Sequence, residues 1–81
     1  MSHRLIVSAA HLIKQHRKLR NQTQEDLAAV SGLDRTYISG VERGARNITL
    51  DSLEQIVLAL EIPLDEFVVQ WGNQLTNVVE E

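Results

Sequence analysis

The chain has 81 residues, no cysteine and a formal net charge of −3, a length that fits one small domain. Absence of cysteine excludes disulfide and thiolate–metal staples, so a core this small is expected to gain stability by self-association. All eight basic side chains lie in residues 1–46 beside four acids (net +4), whereas residues 47–81 hold seven acids and no Lys or Arg (net −7). The split implies a basic face suited to a polyanion and an acidic remainder turned away from it. No apolar run approaches the ~20 residues of a membrane span. The N-terminal "MSHRLIVSAAHLIKQHRK" is too interrupted by polar groups for a secretory signal, so a cytoplasmic protein is expected.

In chain order the sequence reads as five short helices. Apolar residues at 5/6, 9, 12/13 and 19 form the stripe of an amphipathic first helix from Leu5 to Leu19, with Asn21 as its left-handed stop. Thr23 resembles an N-cap with Asp26 at the third helical position, opening a second helix from Gln24 to Val30. Ser31-Gly32-Leu33 makes a tight turn. Asp34 then caps a third helix from Arg35 to about Arg43, which Gly44 stops. Thr49 or Asp51 caps a fourth helix to Leu60, with Leu50, Leu53, Ile56, Val57 and Leu60 on one face. Pro63 suits the first position of a fifth helix, whose apolar face is Leu64, Phe67, Val68 and Trp71. Gly72 is expected to end it, leaving a C-terminal tail over 73–81 and a single domain over 1–72. The fold class expected is all-α, with no strand pattern or repeat.

The second and third helices carry a specific spacing. Counting Gln24 as first, Leu27 is fourth, Ala28 fifth, Gly32 ninth, Leu33 tenth, Ile38 fifteenth and Val41 eighteenth. This is the spacing of a helix-turn-helix. The fifth residue must be small where the helices cross, and the ninth must tolerate the turn. Around that unit, "TQEDLA", "LDRTYISGVERGARNIT" and "LEQIVLALEIPLDEF" resemble the phage-repressor-like helix-turn-helix family, most closely the controller proteins of restriction–modification systems. The resemblance covers roughly residues 5–70. It implies an all-helical homodimer that binds paired operator half-sites in double-stranded DNA and regulates the restriction gene and its own. An antitoxin-like protein-binding regulator, or another phage- or plasmid-type repressor, is the alternative. Little sequence beyond the predicted helices is left for a partner-binding extension.

The third helix has only Ile38 and Val41 as core anchors, which leaves a polar opposite face for a DNA groove. On it, Arg35 suits bidentate pairing with guanine, and Thr36 offers a methyl to thymine and a hydroxyl to a base edge or phosphate. Tyr37 and Ser39 complete the candidate base-reading set, with either base or phosphate within their reach. Gly40 costs about 1 kcal/mol of helix propensity against alanine, which a close backbone approach to a phosphate or another helix would explain. The resemblance gives the Gln24 amide a phosphate contact, and the loop residues Arg43, Arg46 and Asn47 suit the DNA backbone, setting register without reading sequence.

Other features have plainer readings. Related repressors pair an arginine and a glutamate at the positions of Arg17 and Glu42, so these are expected as a structural ion pair. His16 is expected as a packed, hydrogen-bonded histidine. His11 and His16, about 140° apart around a helix, make no zinc site. Arg4, Lys14, Lys18 and Arg20 read as a solvated face. There is no nucleophile–base pattern, phosphate-cradling glycine loop or metal set, so an enzyme, cofactor or small-molecule ligand is not expected. The fourth and fifth helices hold more apolar residues than the core needs. Leu64, Phe67 and Val68 are therefore expected at an isologous dimer interface, setting two reading helices about 34 Å apart.

Overall fold

The computed structural model describes residues 3–79, with side chains to residue 75. Five helices follow one another: α1 (Arg4–Leu19), α2 (Gln24–Ser31), α3 (Arg35–Glu42), α4 (Leu50–Ala59) and α5 (Leu64–Val79). Among the described residues there is no strand.

Local side-chain chemistry starts the middle helices. Thr23 Oγ1 accepts from the Asp26 N–H at 3.0 Å, and Asp26 Oδ2 accepts from the Thr23 N–H at 2.9 Å, a reciprocal capping box. Asp34 Oδ2 accepts from the Thr36 N–H at 3.0 Å, and Thr49 rather than Asp51 caps α4 through the Ser52 N–H. Three helices stop in the same way. Beyond α1, α3 and α4, the residue after the cap turns left-handed: Asn21, Gly44 and Glu61, with φ of 56°, 70° and 59°. Paired backbone bonds close each end, as in Gly44 N–H to Val41 O and Ala45 N–H to Gly40 O.

The core gathers one apolar stripe from every helix. Leu12 and Ile13 of α1, Leu27 of α2 and Ile38 and Val41 of α3 meet Ile56, Val57 and Leu60 of α4 and Phe67 of α5. α1 packs on α3 and α5, α2 on α3 and α4, and α4 on α5. Polar locks join α1 to α5: Trp71 Nε1–H donates to Ser8 Oγ at 2.9 Å and to Leu5 O at 3.1 Å, and the His16 ring lies 2.7 Å (Nε2) from Gln70 Oε1.

Two boundary expectations and one burial expectation change. α5 does not end at Gly72 but runs to Val79; of the expected tail, residues 80 and 81 lie outside the described residues, as do 1 and 2. Gly72 is not left-handed, so it forms no helix stop, and a lone glycine costs about 1 kcal/mol without breaking a helix. Pro63 stands one position before α5, its carbonyl accepting from the Phe67 N–H at 3.0 Å. Leu50, placed on the buried face of α4 by periodicity, is 79% exposed because the first residue of the helix projects past the core.

Candidate nucleic-acid interface

The α2–turn–α3 unit is held from beneath. Ile38, Val41 and Leu27 are buried, and Gly32 at φ +77° makes the turn between the helices. Half-buried Ala28 and Leu33 pack against the same core. With α3 pinned by Ile38 and Val41, its other side faces out. Arg35 and Thr36 are exposed, and among the described residues nothing engages the Arg35 guanidinium. Tyr37 and Ser39 are half-buried. Each meets a basic side chain from the end of α3 or the loop beyond it. Arg43 Nη1–H donates to Ser39 Oγ at 2.7 Å, and the Arg46 guanidinium lies 5.3 Å from the centre of the Tyr37 ring, within cation–π range.

A buried ionic knot fixes the unit to α1. Arg17 donates through Nε to Glu42 Oε2 at 2.7 Å and through Nη2 to Glu42 Oε1 at 3.0 Å. Its Nη1 reaches the Gln22 carbonyl at 2.6 Å. The two side chains are 9% and 2% exposed, so the bidentate geometry and third bond satisfy charges that water cannot. Gln24 Nε2 also donates to Glu42 Oε1, at 3.1 Å. One amide N–H of Gln24 is thus engaged within the fold, and the second remains as a donor at the start of α2.

The positive rim extends from this unit onto α1. Arg43, Arg46 and Asn47 are exposed. A cleft of about 210 Å³ is lined by His11 and Lys14 of α1 together with Arg43 and Gly44, and Lys18 continues the same line along α1. Arg20 departs from it, pairing with Glu61 at 3.3 Å. Asp51, Glu54, Asp65 and Glu66, all exposed, lie instead on α4 and α5. Among the described residues no cluster of His, Asp and Glu is placed to hold a metal, and no helix is long and apolar enough to cross a membrane.

The residues expected at a dimer interface divide. Leu64 and Val68 are 40% and 59% exposed, but Phe67 is 2% exposed and belongs to the monomer core, where it tilts against Trp71 at a centroid distance of 5.8 Å. Phe67 forms part of the floor of a groove between α4 and α5 and projects little toward a partner. Leu50, missed by the sequence reading, joins Leu64 and Val68 around this apolar groove of about 240 Å³. At Gly40 the nearest neighbour within the fold is not another helix. The glycine is buried, and what covers it is the Arg46 side chain.

A helix pinned on one side, presenting cations and hydroxyls on the other beside a capped companion helix, defines a helix-turn-helix protein. The family model described as helix-turn-helix matches residues 13–67, and the chain belongs to that family. Within it the chain is similar to control proteins. It is 40% identical to control protein C.SmaI of Serratia marcescens over 63 residues, 78% of this chain and 75% of that protein. Control protein C.BamHI of Bacillus amyloliquefaciens is 52% identical over 42 residues, 52% of each. The solved restriction–modification controller protein C.Esp1396I, a tetramer in complex with its natural 35-base-pair operator, superposes with a TM-score of 0.85. The two are 43% identical, over 89% of this chain and 95% of that one.

Proposed function

We propose that the protein is a transcription regulator of the restriction–modification controller type, a sequence-specific binder of double-stranded DNA and not an enzyme. The carrying observation is α3 itself. Ile38 and Val41 anchor it, while Arg35 and Thr36 project outward with no partner for the guanidinium. A buried helix would not leave such donors idle, and a merely solvated one would not be flanked by Arg43 and Arg46 held against its hydroxyl-bearing residues. The relationship to C.Esp1396I, solved on operator DNA, supports the same reading.

In this reading α3 enters the major groove. Arg35, Thr36, Tyr37 and Ser39 meet base edges, while Gln24, Arg43, Arg46 and Asn47 hold phosphates. The exposed apolar rim of Leu50, Leu64 and Val68 makes the two-fold contact of a homodimer, which places two reading helices on symmetry-related half-sites. The DNA-binding and dimerisation unit then includes α5 to its end. The genes regulated are its own and that of the restriction enzyme, in the cytoplasm where the DNA lies. Selection of bound duplexes from a random library tests this. Two inverted half-sites are expected, recurring upstream of the protein's own gene. Recovery of unenriched sequence at moderate salt would overturn the reading.

A further inference from the structure

We propose that Gly40 is a positioning residue for DNA reading, a bare seat on α3 across which Arg46 lies so that its guanidinium is held on the Tyr37 ring. The inference rests on the regulator reading above and adds a device to it. Gly40 sits inside α3, where glycine is among the least favourable residues. Its backbone does not explain it, since only Gly32 and Gly44 among the glycines have positive φ. Helix–helix packing does not explain it either. A Cβ built on Gly40 would meet Arg46 Cγ at 2.8 Å, Arg46 Nε at 3.0 Å and Arg46 Cδ at 3.4 Å, and these are its three nearest atoms. The side chain that closes most tightly on this position is therefore Arg46.

Gly40 and Tyr37 are three residues apart, neighbours on one face of the helix. The Arg46 stem crosses the first and its guanidinium reaches the second at 5.3 Å. The Ala45 N–H donates to the Gly40 carbonyl at 3.0 Å, which fixes the loop just before Arg46 leaves it. A long, rotamer-rich side chain is thereby ordered before DNA arrives, and the entropy of ordering it is not lost on binding. Tyr37 is oriented in the same step. The arrangement turns two separate long side chains into one presented unit.

The substitution Gly40→Ala separates this role from a structural one, because stability and binding should move in opposite directions. The atoms that must yield belong to the exposed Arg46 side chain and not to the backbone, so Arg46 has to turn out of its seat, a cost smaller than the helix propensity that α3 gains. The melting temperature should rise by about 4 °C. Arg46 protons over the chain's single tyrosine should be shifted upfield by its ring in the wild type, and should return toward open-chain positions in Gly40→Ala. Affinity for the selected operator should fall about tenfold, the scale of one lost charge-assisted contact. In an Arg46→Ala background the same substitution should change affinity less than about twofold. A tenfold loss that persists there would mean that Gly40 approaches DNA by itself, and would overturn the proposal. So would Arg46 resonances that do not move. A wild type that binds no DNA would defeat the regulator reading, and the resonances alone would then decide whether Gly40 seats Arg46.

Discussion

Two arginines, Arg17 of α1 and Arg35 of α3, illustrate how burial decides what a charge does. Arg17 is enclosed and triply bonded, and Arg35 is open and unengaged. Removing the partner of the first should be severe. Glu42→Ala leaves a buried guanidinium unpaired and frees the Gln24 amide, at a cost of about 3–5 kcal/mol measurable by urea unfolding. Replacing both with apolar residues, Arg17→Met with Glu42→Leu, should recover most of that loss, since no charge is then stranded. A double variant as unstable as the single would contradict the desolvation argument. Arg35→Ala should behave in the opposite way. Stability should stay within about 0.5 kcal/mol, while affinity for the preferred site falls by roughly 1–3 kcal/mol and discrimination relaxes at one base pair per half-site. Equal loss on a scrambled duplex would remove Arg35 from the base-reading set.

At the scale of helices, what the sequence revealed was whatever is settled by near neighbours. Thr23, Asp34 and Thr49 cap because their oxygens reach an N–H two or three residues on, so α2 and α3 begin at residues legible in one dimension and α4 at one of the two that the sequence offered, Thr49 or Asp51. The helix-turn-helix spacing was legible for the same reason, its core positions being set by helical period. Phe67 and Leu64 were not separable, because both lie on the apolar side of α5 and only the placement of α4 and α1 decides which of them is covered. The Gly40–Arg46 seat was hidden because it joins an element to a loop that folds back on it. Gly72 misled as a stop signal. Its Cβ would meet nothing within 4 Å, so Gly72→Ala should stabilise the protein by about 0.5–1 kcal/mol, seen as a raised denaturation midpoint. A loss of helicity or stability would mean that the helix bends or is approached there by a second chain.

For the whole molecule, the segregated charge and the apolar rim of α4 and α5 divide the surface between two tasks. Phosphate neutralisation by the basic rim should make log affinity fall steeply with log salt in spite of the net charge of −3. Lys14→Ala, next to Arg43 in the α1 cleft, should lower that slope by about one and weaken all duplexes alike. In the proposed dimer the α4–α5 rim meets the partner protomer, and adjacent residues of α5 offer a sharp test of it. Val68 is 59% exposed and Phe67 is 2% exposed, so a charge at each position asks a different question. Phe67→Glu places a carboxylate in the core and should abolish folding. Val68→Glu places one on the proposed two-fold patch, where its symmetry mate repels it, and should leave a helical monomer with weak operator affinity. A single reading helix contacts only a few base pairs, so loss of the second half-site accounts for the weakness without damage to α3. Sedimentation at micromolar concentration should show a wild-type dimer and a Val68→Glu monomer of unchanged circular dichroism. If Val68→Glu sediments as a dimer and binds the full operator as the wild type does, the two-fold axis lies elsewhere on the molecule.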